Sequence, residues 1–169
     1  MANAISILRA QYKQSAEWFE GTMAGLDVET AHYQPGGLVA PISAQAAHMV
    51  SGLDFLILGT IAGRAPLMMS SHAETSGISE PPPRGEWLEW AQRLEVDLSA
   101  LHEYSKAVFA AVDDYLASLS DDDLDRDVES DFGTFTVAWW LNTMLLNNYS
   151  HTGEIAAIKG FQGLKGYPV

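Results

Sequence analysis

The chain has 169 residues, of which 47% are hydrophobic and 18% are charged, and it contains no cysteine. This length and balance predict one folded domain over residues 1–169 with a substantial core, and they argue against extensive disorder. The lack of cysteine excludes disulfides, thiolate metal sites and a cysteine nucleophile. A metal here would have to be held by histidine, carboxylate, amide or water ligands.

The chain is strongly acidic, with 22 Asp and Glu against 9 Lys and Arg and a formal net charge of −13. Binding to nucleic acid or to an anionic membrane surface requires a basic patch, so we expect neither partner. The longest apolar run, near residues 53–62, is interrupted by Asp54 and Gly59 and is too short to span a bilayer. With no signal segment at the start of the chain, we expect a soluble cytoplasmic protein.

The first half of the chain predicts two helices. Apolar residues recur at threes and fours over Ile5–Leu26, which indicates an amphipathic helix. The Pro- and Gly-rich segment Asp27–Pro41 predicts a loop. A second helix is expected over Ile42–Ala62, capped by Ser43 and ended by Gly63, and it is apolar nearly all round, which predicts a central position.

A long connection and a long helix follow. Residues 64–85 are rich in Pro, Ser and Gly, and a loop of this length is typically mobile or functional. A sustained apolar stripe then predicts a third helix from about Gly85 to Leu119, either about 50 Å long or kinked. Ser120 and Asp123 have the spacing of a capping box before a short helical turn, Asp121–Leu124.

The last part of the chain predicts one more helix. Glu129–Thr136 is expected to be a tight loop or a short extended piece, and Thr134 or Thr136 is a candidate cap for a final helix over Val137–Lys159. The fold class is therefore all-α, an antiparallel four-helix bundle with a long loop between its second and third helices.

The final helix carries the residues with chemical potential. Asn147 precedes His151 by one helical turn on the same face, and His48 lies within the second helix. In a helical bundle, an i, i+4 pair and a histidine from a facing helix can hold a metal and leave positions open for water or substrate. The same residues are compatible with two core histidines that only form hydrogen bonds. His32, His72 and His102 are interpreted as loop or surface residues.

In this order, the first helix, the segment SAQAAHMV, the loop after the second helix and the closing HTGEIAAIKGFQGLKGYP resemble the DinB-like superfamily. That superfamily includes thiol-dependent S-transferases and the N-terminal domain of mycothiol-dependent maleylpyruvate isomerase. The resemblance covers nearly the whole chain. It implies a four-helix bundle with a three-histidine site for a divalent metal, and it implies a homodimer.

The resemblance also implies roles for particular residues. His48 matches the ligand in the second helix, and His151, in His-Thr-Gly-Glu, matches the last ligand. The remaining ligand position is Asn147, where the family pattern has histidine. Helix spacing, rather than the resemblance, makes Glu154 a candidate catalytic base or the partner that orients His151, and the same position is equally compatible with a surface carboxylate. The implied cofactor is a divalent metal such as Zn, Ni, Mn or Fe, and the site is degenerate.

The sequence is compatible with three functions. The first is a metal-dependent enzyme that transfers a small thiol, performs a thiol-aided isomerisation, or hydrolyses its substrate, with the thiol supplied by a cosubstrate. The second is a metal-free protein that binds a small ligand, with the loop 64–85 as a lid over an apolar pocket lined by tryptophan and by Met68 or Met69. The third is a purely structural homodimer, for which one of the adjacent Trp139 and Trp140 would face a partner subunit.

Overall fold

The computed structural model describes residues 3–83 and 85–168, and in that part of the chain it is mostly helical. Its elements, in chain order, are α1 Ala4–Met23, α2 Val28–His32, α3 Ile42–Gly52, a π-helical segment Leu53–Ile61 that continues α3, a 3₁₀ turn Leu67–Met69, α4 Trp87–Arg93, α5 Leu98–Ala117, a 3₁₀ turn Asp121–Asp125, β1 Asp127–Ser130, β2 Gly133–Thr136 and α6 Val137–Phe161. The all-α class is confirmed.

Four long helices, α1, α3 with its π-helical segment, α5 and α6, form the bundle. Two neighbouring pairs are antiparallel. Arg9 near the start of α1 forms an ion pair of 2.8 Å with Asp113 near the end of α5. Thr152 in α6 lies 3.9 Å from the sulfur of Met49 in α3. These contacts fix the relative positions, along the bundle axis, of the helices that carry the candidate site.

The other two neighbouring pairs run parallel. In α1 and α6, Tyr12 donates a hydrogen bond of 2.7 Å to the carbonyl of Leu141, and further along both helices Lys159 donates to the carbonyl of Thr22. Burial lowers the pKa of Lys159 below its ordinary value. Parallel α3 and α5 require a connection that returns along the bundle, which explains the long segment between them.

The predicted helix over residues 85–119 is wrong in one respect, because α4 ends at Arg93 and α5 begins only at Leu98. Between them Val96 forms a β-bridge with Ile78, and its N–H donates to His32 Nε2 at 3.1 Å. Asp97 then caps α5 by accepting from two backbone N–H groups of the first turn. Contacts from distant parts of the chain hold this stretch extended, although the apolar stripe continues through it.

Two predictions about the early loops also need correction. The segment 27–41 contains the short helix α2, capped by Asp27, which accepts from Thr30 N at 2.8 Å. Ser43 does not cap α3. The cap residue is Pro41, and the buried Ser43 hydroxyl has no hydrogen-bond partner among the described residues.

The signals near α6 are confirmed. Ser120 and Asp123 form the capping box. The extended piece is a hairpin in which Asp127 pairs with Thr136, and Thr136 caps α6 by accepting from Trp139 N at 3.2 Å.

Residues 42–61 are long and apolar enough to cross a membrane by length and composition alone. In the described structure, however, 67% of the most apolar 18-residue window in this stretch is buried inside the bundle, which is the arrangement of a central core helix.

One carboxylate lies in that core. Asp54, in the π-helical segment, has no exposed surface and accepts three hydrogen bonds, from Leu67 N at 2.7 Å, Met68 N at 2.8 Å and Tyr104 Oη at 2.7 Å. Burial and this bond to Asp54 raise the pKa of Tyr104 well above its ordinary value. Asp54 therefore ties the start of the long connection to both α3 and α5.

Candidate functional site

The antiparallel packing of α3 and α6 brings His48 and His151 together. Their ring centres are 4.9 Å apart and their planes are 78° from parallel. Both side chains are half-buried, at the edge of the core. Two residues separated by more than a hundred positions thus form one imidazole pair at the edge of the core.

Glu154 contacts one member of this pair. Its Oε2 lies 2.8 Å from His151 Nδ1, one helical turn away, and the Glu154 side chain is 52% exposed against 16% for His151. A carboxylate at this distance accepts the Nδ1–H, and in a neutral ring this leaves Nε2 as the free acceptor. The contact therefore fixes both the tautomer and the orientation of His151.

Burial and the neighbouring imidazole of His151 lower the pKa of His48 to about 4. The His48 ring is therefore neutral near pH 7. Neutral imidazole is the form that binds metal ions, and it can also donate one hydrogen bond and accept another.

The two asparagines before His151 occupy different environments. Asn147 is half-buried and lies one turn before His151 on the same helix face. Asn148 points into the core with no exposed surface, and neither of its amide atoms has a hydrogen-bond partner among residues 3–83 and 85–168. Asn148 was not among the residues predicted from the sequence, because adjacent asparagines cannot be distinguished until it is known which face of the helix is buried.

Two tryptophans beside the histidines, Trp87 and Trp90, were also not predicted from the sequence as part of the site. Trp87, at the start of α4, lies with its ring centre 4.6 Å from that of His48 and 6.5 Å from that of His151. It packs in turn on Trp90 at 5.1 Å. The sequence around Trp87 predicted only a core residue. Its position beside the two histidines depends on the long connection, which brings α4 to them.

No group of three or more His, Asp or Glu side chains in the described part of the chain is arranged to hold a metal ion. The other histidines lie elsewhere. His32 bonds to Val28 and Val96, His72 bonds to Ser71, and His102 is exposed beside Glu103. Within these residues, the His48–His151 pair is the one place where two imidazole rings pack together.

Comparison with solved structures gives a similar fold. The chain resembles a conserved protein from Enterococcus faecalis with a TM-score of 0.81 and 21% sequence identity, over 94% of this chain and 96% of that chain. At this identity the likeness shows the fold alone. A family model described as the DinB superfamily matches residues 11–155. No curated protein matches the chain.

Proposed function

Because the chain belongs to the DinB superfamily, we propose that it is a divalent-metal-dependent enzyme of that superfamily whose ligands are His48, His151 and Asn147. The observation that supports this most directly is the imidazole pair between α3 and α6. The reaction class that we propose is transfer of a small thiol, or hydrolysis.

The spacing of the two rings fits a shared ion. Two imidazoles bound to one ion through bonds of about 2.0–2.1 Å have ring centres about 5 Å apart. The observed separation is 4.9 Å. The third donor is then the amide oxygen of Asn147, since no third His, Asp or Glu joins the pair in the described residues.

The donor set indicates the class of ion. Two imidazoles and one amide oxygen suit Zn, Ni, Mn or Fe in the divalent state, and three protein ligands leave positions free for water or substrate. An amide oxygen is a weaker donor to these ions than imidazole. We therefore expect weaker retention than a three-histidine site would give.

The residues around the pair have supporting roles. Glu154, hydrogen-bonded to His151 Nδ1, would orient that ring with Nε2 toward the ion. Trp87 and Trp90 provide an apolar wall against which a substrate could pack. When bound, the metal would polarise a carbonyl or lower the pKa of a coordinated thiol or water. The thiol must come from a cosubstrate, because the chain has no cysteine.

The test is metal content by mass spectrometry on tag-free protein after equilibration with Zn²⁺ or Ni²⁺ and dialysis. Asn147→His, which supplies a third imidazole, should raise the retained metal and tighten its binding by about tenfold or more. His151→Ala should abolish retention. His102→Ala, at an exposed histidine outside the site, is the matched control and should behave as wild type.

Two results would reject the proposal. One is metal retention that His151→Ala leaves unchanged. The other is no binding in the wild type or in Asn147→His. If the metal is retained, conjugation of a small thiol to an electrophile should follow metal occupancy and should fail in His151→Ala.

The second candidate is a metal-free binding protein, favoured by the amide at the third ligand position. His48 and His151 would then hydrogen-bond a small polar molecule against Trp87. Met68, one of the two methionines expected to line such a pocket, is buried and donates its backbone N–H to Asp54, and Met69 is exposed. This alternative predicts thermal stabilisation by some small molecules in the presence of chelator.

We also propose a homodimer. Trp139 and Leu146, two turns apart on α6, are 42% and 59% exposed and share one face of the helix. Two exposed apolar side chains on one helix face suit contact with a second copy of the chain. Leu146→Asp should shift the mass measured by light scattering from dimer to monomer, and a wild-type monomer would refute this proposal.

A further inference from the structure

A cavity lies away from the histidine pair, between the end of α1 and the start of α5. It is an open cleft of about 1130 Å³. Helix α2 and the link between α4 and α5 form its remaining walls. His48 and His151, on α3 and α6, are not among its lining residues.

The floor of the cleft is apolar. Phe19 and Leu101 lie at its base and are each only 2% exposed. Met23, Leu26 and Leu98 form its sides and are half-buried. Surface of this kind favours a ligand with a hydrocarbon or aromatic body.

Four carboxylates lie at the margin of the cleft, beside His32 and His102. Glu20, Asp27, Glu95 and Asp97 line the cleft, and no Lys or Arg is among its described lining residues. The hydrogen bond from Thr30 N lowers the pKa of Asp27, so this carboxylate is ionised at neutral pH. Asp27 and Asp97 each cap a helix through Oδ1.

His32 connects two walls of the cleft through hydrogen bonds. Its Nδ1 bonds to the carbonyl of Val28 in α2 at 2.9 Å, and its Nε2 accepts from Val96 N in the α4–α5 link at 3.1 Å. Both ring nitrogens are used in these bonds. His32 therefore links two walls of the cleft, and the groups available to a ligand are the carboxylates, Ser99 and the exposed His102.

We propose that this cleft binds a small organic cation, an ammonium group carried on an apolar body. The hydrocarbon or aromatic part would pack on Phe19, Leu101 and their neighbours, and the ammonium would lie among the carboxylates of the margin. Opposite charge without any competing Lys or Arg also disfavours carboxylate ligands at the same place. This site is separate from the proposed metal site and does not require it.

The test uses three probes with one shared body: phenylbutylamine, phenylbutanol and phenylbutyrate. Each is titrated into ¹⁵N-labelled protein in the presence of chelator, and amide shifts are followed by NMR. The amine should move signals of the cleft residues and should bind about tenfold more tightly than the carboxylate. Its affinity should fall as salt is raised.

Two double variants that change the net charge equally test whether the carboxylates of the margin bind the amine. Glu20→Gln with Glu95→Gln removes two carboxylates that cap no helix, and it should weaken amine binding by about fivefold or more. Asp122→Asn with Asp125→Asn changes the net charge equally at exposed positions outside the cleft, and it should weaken binding by less than about twofold. His151→Ala should bind the amine as wild type does, which separates this proposal from the metal site.

Three outcomes would overturn the proposal. The first is equal affinity for amine, alcohol and carboxylate. The second is a set of shifted signals that lies outside the cleft. The third is absence of any shift at millimolar amine.

Discussion

Replacing Asp54 by Asn should destabilise the protein strongly, although the two side chains have nearly the same shape. The three groups that contact the buried Asp54 carboxylate, Leu67 N, Met68 N and Tyr104 Oη, are all donors. An amide presents an NH₂ group in place of one oxygen, so at least one backbone N–H would face another donor without water to relieve it. A lost hydrogen bond to a charged group and a buried unpaired donor together cost about 2–4 kcal/mol of unfolding free energy.

The contribution of Tyr104 can be separated by a double-mutant cycle. Tyr104→Phe removes one of the three donors without changing the packed volume, and it should cost about 1.5–3 kcal/mol because the acceptor is charged. In the Asp54→Asn background the same change should cost about 1 kcal/mol less, since the carboxylate that the hydroxyl served is gone.

Urea unfolding measures these free energies, and hydrogen exchange localises the effect. The amides of Leu67 and Met68 should lose protection in Asp54→Asn, because that carboxylate is their acceptor. Asp114→Asn, at an exposed carboxylate on α5, is the control and should change stability by less than about 0.5 kcal/mol. If Asp54→Asn is as stable as this control, or if both amides remain protected, Asp54 does not anchor the start of the segment 64–85.

Three further predictions concern single positions. Between pH 7 and pH 5, His48 should cost the wild type about 2 kcal/mol of stability, because the unfolded chain takes up a proton near the ordinary pKa of 6.5 that the folded chain resists until about 4. In His48→Gln this loss of stability should be absent. Equal losses in the wild type and in His48→Gln, measured by urea unfolding, would contradict the prediction. Gly153→Ala should stabilise α6 by about 0.5–1 kcal/mol, seen as a higher Tm, because the new methyl meets only the hydroxyl of the exposed Tyr167 at 3.3 Å; a lower Tm would show that Tyr167 cannot move. Gly77→Ala should cost about 2 kcal/mol or more in urea unfolding, since φ is +74° there and a Cβ would lie 2.5 Å from the Asp97 carbonyl; an unchanged midpoint would disprove this strain.

The sequence predicted the long helices from periodicity and their ends from local chemistry. Thr136 and the Ser120 capping box act within one turn of the chain, so their spacing alone was informative. The break between α4 and α5 depends instead on Val96 meeting Ile78 and His32. No local pattern encodes partners so far away, and the continuing apolar stripe favoured a single helix.

The candidate site also combines features that local sequence predicts with features that depend on distant contacts. The turn from Asn147 to His151 and the contact of His151 with Glu154 follow from helix geometry, and resemblance suggested His48 as the facing residue. The position of Trp87 against the pair depends on how the long connection returns over the bundle. The unpaired amide of Asn148 depends on which face of α6 is central. Neither was accessible without the tertiary arrangement.

The parallel packing of α1 and α6 has a consequence for synthesis. Tyr12 bonds to Leu141, its partner 129 residues later, so the face of the first helix that packs on α6 stays uncovered while most of the chain is made, even after α5 is available to pair with Arg9. At ordinary rates of translation, about 5–20 residues per second, this interval lasts on the order of 10 s. The helix made first is therefore among the last to reach its final surroundings, and a chaperone that shields residues 4–23 would act before the closing helix is made.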